Sequence, residues 1–502
     1  MNVVLIASEA VPFAKTGGLA DVAGALPLAL ERLGHEASLI IPCYRQAWKS
    51  GLALTGTGIT LRIPVGARLV EGFVYKTTLP GSNVAVYLID QPDYFDREHL
   101  YQDGGRDYID NCERFVFFDR AVLETIRLAE LRPQILHCND WQTGLIPVYL
   151  DEYYRRHPGL GPAGTLFTIH NLAYQGAFWH YDMPLTGLPW RLFNWHQLEF
   201  HGHLNLMKAG LVFSDRLSTV SPTYAAEIQT AELGCGLDGL LRARRSDLVG
   251  IVNGIDVDAW SPRNEPMLAA RYDASTVTEG KAACKAQLQR RSSLPERPDV
   301  PLFAQIGRLD PQKGWDLLAE VADDLLSGDV QMVVLGTGLP RYHDLLDRLA
   351  AKHSGKLRAY LEFSNTLAHQ IEAGADIFLM PSLYEPCGLN QLYSLAHGTV
   401  PIVRATGGLA DTVVDVTPET LANGTATGFA FREPTPQALR ATIDRALGYW
   451  PDRSVWSQLV QNGMREDWSW DKSAQRYVSL YETIHRRALE RDRLRAVRGV
   501  AV

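Results

Sequence analysis

Lys15-Thr16-Gly17-Gly18 follows an apolar run near the N-terminus. Two adjacent glycines let backbone N–H groups come close to a ligand. A helix starting there turns its positive dipole end toward an anion, and Lys15 adds a mobile positive charge. The chemistry this suits is the grip of a phosphate. Alone, the loop is equally a tight strand-to-helix turn with a solvated lysine. It is neither a Walker A loop nor a G-x-G-x-x-G fingerprint, which argues against P-loop and dinucleotide chemistry.

Other segments add to it. Gly307-Arg308-Leu309 precedes Lys313-Gly314, and a pair of cations at the end of a strand suits a diphosphate. In Pro381-Ser382-Leu383-Tyr384-Glu385-Pro386-Cys387-Gly388-Leu389-Asn390, Glu385 can accept sugar hydroxyls or stabilise positive charge developing at an anomeric carbon. The amides of Gly388 to Asn390 can cap a phosphate. His137-Cys138-Asn139-Asp140-Trp141 and Phe167-Thr168-Ile169-His170-Asn171 each end a strand. His170 and Asp140 are therefore candidates to reach a reacting sugar, and nearby aromatics such as Trp141, Tyr174 and Trp179 could stack on pyranose rings. Thr16-Gly17-Gly18-Leu19-Ala20-Asp21 returns as Thr406-Gly407-Gly408-Leu409-Ala410-Asp411. The economical reading is two equivalent helix N-termini facing one cleft.

Such loops need rigid elements behind them. Residues 3–8 read as a buried strand, 19–33 as a helix ended by Gly34, and 37–41 as the next strand, which makes a βαβ unit. Strands at 134–138, 165–169 and 217–220 continue the rhythm, with Ser221-Pro222 opening a helix. The pattern restarts with strands at 301–306, 330–335, 376–380 and 400–403. Two doubly wound halves fit this α/β order, with ligands expected beyond the carboxyl ends of the strands. The boundary is expected near 252–256, giving a first domain over 1–250, a second over 251–472, and a charged helix over 473–502 that packs on the second domain or crosses back to the first.

Composition agrees. A chain of 502 residues exceeds one hydrophobic core. Its net charge of -8 argues against nucleic acid and anionic membranes as partners. Six scattered cysteines form no C-x-x-C pair, so neither a disulfide framework nor a zinc site is expected. No segment has transmembrane length, and the run 3–7 is too short for a signal-peptide core. The expected location is cytoplasmic.

KTGGLADV at 15–22, FTIHNLAYQG at 167–176, STVSPTYAAEI at 218–228, NGID at 253–256, GRLDPQKG at 307–314 and PSLYEPCGL at 381–389 together resemble the bacterial glycogen synthases and plant starch synthases. The resemblance implies a GT-B fold, two Rossmann-like domains facing a central cleft. It implies retaining transfer of glucose from ADP-glucose to the non-reducing end of an α-1,4-glucan such as glycogen. Carried over, Lys15 and Asp21 bind the donor with Gly18 near its phosphates, and Arg308 and Lys313 hold the leaving diphosphate. Glu385 contacts the glucose, His170, Asp140 and Asn171 line the sugar site, and Asn253 touches the glucose. Cys387, Gly388, Leu389 and Asn390 lie along the phosphates. No metal or other cofactor is implied, because Arg308 and Lys313 neutralise the diphosphate.

Two departures concern the nucleobase. Glu362-Phe363 stands where the family usually has Gly-Tyr beside the base, and Asn390 where it usually has Thr. ADP-, UDP- and GDP-glucose stay open as donors, and a GT-B transferase with another acceptor is the alternative. Tyr393 stands where other GT-B enzymes carry a second glutamate.

Overall fold

Val3, Val4, Leu5 and Ile6 are apolar without alternation, as a strand covered on both faces must be. In the computed structural model, which describes residues 1–499 and side chains as far as residue 494, they form the centre of β1 (Asn2–Ile6) and are buried. Helix α1 (Gly18–Arg32) follows, then β2 (Glu36–Pro42), β3 (Thr55–Val65), β4 (Arg68–Thr78) and β5 (Ala85–Asp90). Helix α2 (Asn111–Leu128) leads to β6 (Ile135–Asn139), β7 (Gly164–Ile169), β8 (Arg216–Thr219) and β9 (Leu248–Gly250). The sheet runs β9-β8-β7-β6-β1-β2-β5-β4-β3. Its pairs are parallel except those of β4, which is antiparallel to β3 and β5.

The other sheet is built of β10 (Leu302–Ile306), β11 (Gln331–Leu335), β12 (Leu357–Tyr360), β13 (Ile377–Met380), β14 (Val400–Arg404) and β15 (Phe429–Phe431). Its order is β12-β11-β10-β13-β14-β15, parallel throughout. The helices that matter below are α3 (Val277–Arg291), α4 (Trp315–Ser327), α5 (Asn365–Gly374), α6 (Asn390–Ala396) and α7 (Gly407–Thr412). Both sheets reverse their winding beside the first strand, between β1 and β6 and between β10 and β13. The carboxyl ends of strands at such a switch point leave a crevice where ligands bind.

The chain divides into two compact units. Unit 1 takes Met1–Val220, Ala225–Gly254 and the segment from Trp470, and unit 2 takes Ser221–Tyr224 and Ile255–Ser469. The C-terminal helix (Trp470–Gly499) belongs to unit 1. Trp470, Ala474, Tyr477, Tyr481 and Ile484 join the core built on β1 and α1. Gly164 of β7 gives the helix room, since a Cβ there would come within 2.4 Å of Ile484. Tyr481 hydroxyl lies 2.8 Å from Nδ1 of His137. Among the described residues, no helix is long and apolar enough to cross a membrane.

Candidate active site

In unit 2, the loop leaving β10 and the loop leaving β13 are braced against each other. Asp310 caps the turn by accepting the Lys313 N–H at 3.1 Å. Gly314 then turns with φ 75°, and a Cβ there would lie 2.0 Å from the Pro381 carbonyl. The Leu383 N–H donates to the Gln312 carbonyl at 2.8 Å. So fixed, Lys313 Nζ lies 2.6 Å from Oε2 of Glu385, and the Ser382 hydroxyl donates to the same oxygen at 3.0 Å. Glu385 is buried, and a buried carboxylate needs such partners. Arg308 is more open, with its guanidinium 3.1 Å from both Asp310 and Gln312. Arg308, Lys313 and Glu385 stand out in the sequence; Ser382, Asp310 and Gln312, which hold them, carry no such signal there.

The repeated Thr-Gly-Gly motif serves two different purposes, which corrects the expectation of two equivalent helix N-termini. Gly407 (φ 45°) and Gly408 are buried, and a Cβ on either would come within 2.0 Å of the carbonyl of Glu385 or Cys387. The Gly408 N–H donates to the carbonyls of Glu385 and Pro386 at 3.1 Å. This second copy is packing that seats the Glu385 loop. Its Asp411 caps the helix after Ser221 by accepting the Thr223 N–H at 2.8 Å, whereas Asp21 in the first copy holds Lys15.

Farther along the loop, Cys387 is buried and Gly388 turns with φ 73°. Leu389 precedes α6, whose first residue, Asn390, donates its side-chain N–H to the Ile306 carbonyl at 2.7 Å. Asn390 thus ties α6 to the end of β10. Phe363 follows β12 and is 86% exposed, an aromatic face left open beside a strand's carboxyl end. Tyr393 stacks on Trp260 at 3.6 Å, and His369 stacks on Trp260 at 3.8 Å.

In unit 1, Lys15 pairs with Asp21 at 2.7 Å on the open side of the loop, and Gly18 is exposed as the first residue of α1. Burial raises the Asp21 carboxyl above its ordinary value, against the pull of Lys15. Beyond β6, Asp140 adopts φ 57° and ψ 178°, a strained backbone for a residue with a Cβ. Its carboxylate accepts the His170 N–H at 2.7 Å and also the Asn171 N–H. Asp140, expected to reach a sugar, is turned onto the backbone that carries His170. Burial pushes its carboxyl up to about 7.

His170 Nε2 lies 2.8 Å from Asn139 Oδ1. The Asn139 side-chain N–H groups donate to the Ile6 and His137 carbonyls, so its oxygen faces His170 as acceptor. His170 therefore carries its proton on Nε2 and offers Nδ1 as an acceptor. Burial lowers its pKa to about 3, which keeps the ring neutral. Asn171 folds locally, accepting the Ala173 N–H at 3.1 Å. Asn253 is buried in the NGID segment, and its Oδ1 has no hydrogen-bond partner among the described residues.

Residues 2–243 match the starch synthase catalytic domain family, and residues 287–462 match the glycosyl transferases group 1 family. The glycogen synthase of Anaeromyxobacter dehalogenans (strain 2CP-1) is 50% identical over 487 residues, 96% of this chain and 99% of that one. This chain belongs to the glycogen synthase family. Glycogen synthase 1 of Methylococcus capsulatus is 46% identical over 96% of both chains. The solved catalytic domain of starch synthase IV from Arabidopsis thaliana, bound to ADP and acarbose, superposes with a TM-score of 0.88 at 32% identity, covering 96% of this chain and 99% of that one. Sucrose-phosphate synthase from Thermosynechococcus elongatus shares the fold, with a TM-score of 0.59 at 17% identity over 96% of this chain and 98% of that one. With those relatives, this chain is a glycosyltransferase with two α/β units of the GT-B type.

Proposed function

We propose that this enzyme transfers glucose from ADP-glucose to the non-reducing end of an α-1,4-glucan, with retention of configuration. The observation that carries the reading is the Lys313–Glu385 pair at the switch point of unit 2. As the bond from C1 to the diphosphate breaks, the sugar gains positive charge and the diphosphate gains negative charge. Lys313 and Arg308 stabilise the leaving diphosphate, and Glu385 stabilises the sugar; preorganised charges of this kind need no rearrangement during reaction. The acceptor hydroxyl attacks C1 from the same face, and its proton passes to a diphosphate oxygen. The reading assigns the remaining roles as follows. Lys15, Asp21 and Gly18 serve the donor, His170 Nδ1 accepts a sugar hydroxyl, and Asp140 and Asn171 hold His170 in place. Asn253, whose Oδ1 has no partner among the described residues, contacts the glucose. Cys387, Gly388, Leu389 and Asn390 shape the phosphate end. No metal is required, because protein cations supply the charge, so a chelator is expected to leave the rate unchanged.

The ADP and acarbose on the Arabidopsis relative support an adenine diphosphate donor and a glucan acceptor. Exposed Phe363 offers a stacking face for the base without a hydroxyl, which favours testing the other nucleotides directly. The experiment is turnover with labelled ADP-, UDP- and GDP-glucose and glycogen as acceptor. Label from ADP-glucose entering polymer is the expected result. Transfer only to a small acceptor, or preference for another nucleotide, would overturn the corresponding half of the reading. The same reading places the enzyme in the cytoplasm, where fractionation should find it.

A further inference from the structure

Glu9 lies just beyond β1, at the switch point of unit 1, and only 4% of it is exposed. Its carboxylate reaches forward to the lysine-glycine loop. The Thr16 N–H donates to Oε2, the Thr16 hydroxyl donates to the same oxygen at 2.8 Å, and the Gly17 N–H donates to the carboxylate as well. Three donors on one buried carboxylate hold the two residues between Lys15 and Gly18. Burying a charge is costly unless such donors compensate it. A turn that only needed to be tight would not require a buried anion.

We propose that Glu9 is a positioning residue for the donor: by holding Thr16 and Gly17 it sets where Lys15 and Gly18 stand. The proposal rests on the reading of Lys15 and Gly18 as donor-binding. Glutamine cannot replace this carboxylate, because its –NH2 would face one of the three donors. Protonation has the same effect. Burial pushes the Glu9 carboxyl up to about 7, and Asp21 adds to the rise. The other titratable groups that interact with Glu9 are Tyr44, Tyr101 and Asp140. Above pH 7 the anion accepts all three bonds; below it, the loop loses part of its hold.

The test compares donor KM and kcat for Glu9→Gln, Thr16→Val, Lys15→Ala and the Glu9→Gln/Lys15→Ala double variant. Glu9→Gln should raise donor KM about tenfold or more, the size expected for a misplaced binding group. Little further loss should appear when Lys15 is already absent. The KM ratio of Glu9→Gln to the parent should shrink as pH falls below 7. Should Glu9→Gln not fold, Thr16→Val, which loses only the hydroxyl bond, should still raise KM several-fold. A normal donor KM in Glu9→Gln or Thr16→Val, beside a clear Lys15→Ala defect, overturns the proposal alone. Multiplying effects in the double variant do the same. An unchanged KM in Lys15→Ala overturns both the proposal and the donor reading of the loop, and locates the fault in the latter.

Discussion

Lys313 Nζ and Glu385 Oε2 lie 2.6 Å apart, with Glu385 nearly closed to solvent. Each side chain answers the other's charge, so removing one leaves the other exposed to the cost of burial. Lys313→Ala is expected to lower kcat by about 10²–10³, the usual loss for one preorganised charge. It should also lower stability, because an uncompensated buried carboxylate remains. Adding Glu385→Gln should recover part of the stability and none of the rate. Thermal unfolding and single-turnover rates of the parent and these two variants check this; a double variant no more stable than Lys313→Ala would refute the pairing.

The two Thr-Gly-Gly copies should respond differently to a methyl group. At Gly407, φ is 45° and the added carbon would meet the Glu385 carbonyl at 2.0 Å. Gly407→Ala should therefore cost about 1–3 kcal/mol and lower kcat by displacing Glu385. Gly17 is extended (φ -150°), with its nearest neighbour for a Cβ at 3.7 Å. Gly17→Ala should leave stability within about 0.5 kcal/mol. Denaturant unfolding of both proteins decides it.

Glu372 predicts a pH dependence away from the reacting groups. It sits on α5, fully buried, with the Ser394 hydroxyl donating to it at 2.7 Å. Burial raises its carboxyl from 4.5 to about 8. The folded state then holds a proton that the unfolded state releases, so the stabilisation is complete below pH 4.5 and disappears as pH rises through 8. Glu372→Gln cannot ionise and should flatten stability across that window. Urea midpoints at several pH values provide the check, and an unchanged slope would contradict it.

Tyr481→Phe should cost about 1–2 kcal/mol, since it removes the hydroxyl facing His137 and leaves a buried ring nitrogen unpaired. His137 is held neutral by burial, its pKa lowered to about 3. The loss should appear in unfolding of unit 1 with little change in kcat.

Much of this was legible in the residues. Strands such as β1 and β10 are apolar on both faces, and the Gly-rich turns after them mark where loops must carry function. Lys15, Arg308, Lys313 and Glu385 stand out in the sequence because they are charges placed at those turns. Glu9 escaped because nothing in its own spacing signals a role; its meaning comes from three donors that the chain brings back to it. The same limit applies to the second Thr-Gly-Gly. Two copies look alike in one dimension, and only packing tells an exposed amide from one spent on a neighbouring carbonyl. β3 and β4 alternate polar and apolar residues, itself the signal of a half-buried strand, but a weaker mark than the solid apolar runs of the central strands.

Val3 and Leu5 share a core with Tyr477 and Tyr481. Domains usually fold as units while they leave the ribosome, but unit 1 cannot close until the helix beyond Ser469 has emerged. Unit 2, synthesised in between, can be complete first. The oldest strand in the chain is thus among the last to be sealed, on the face that carries Val3 and Leu5.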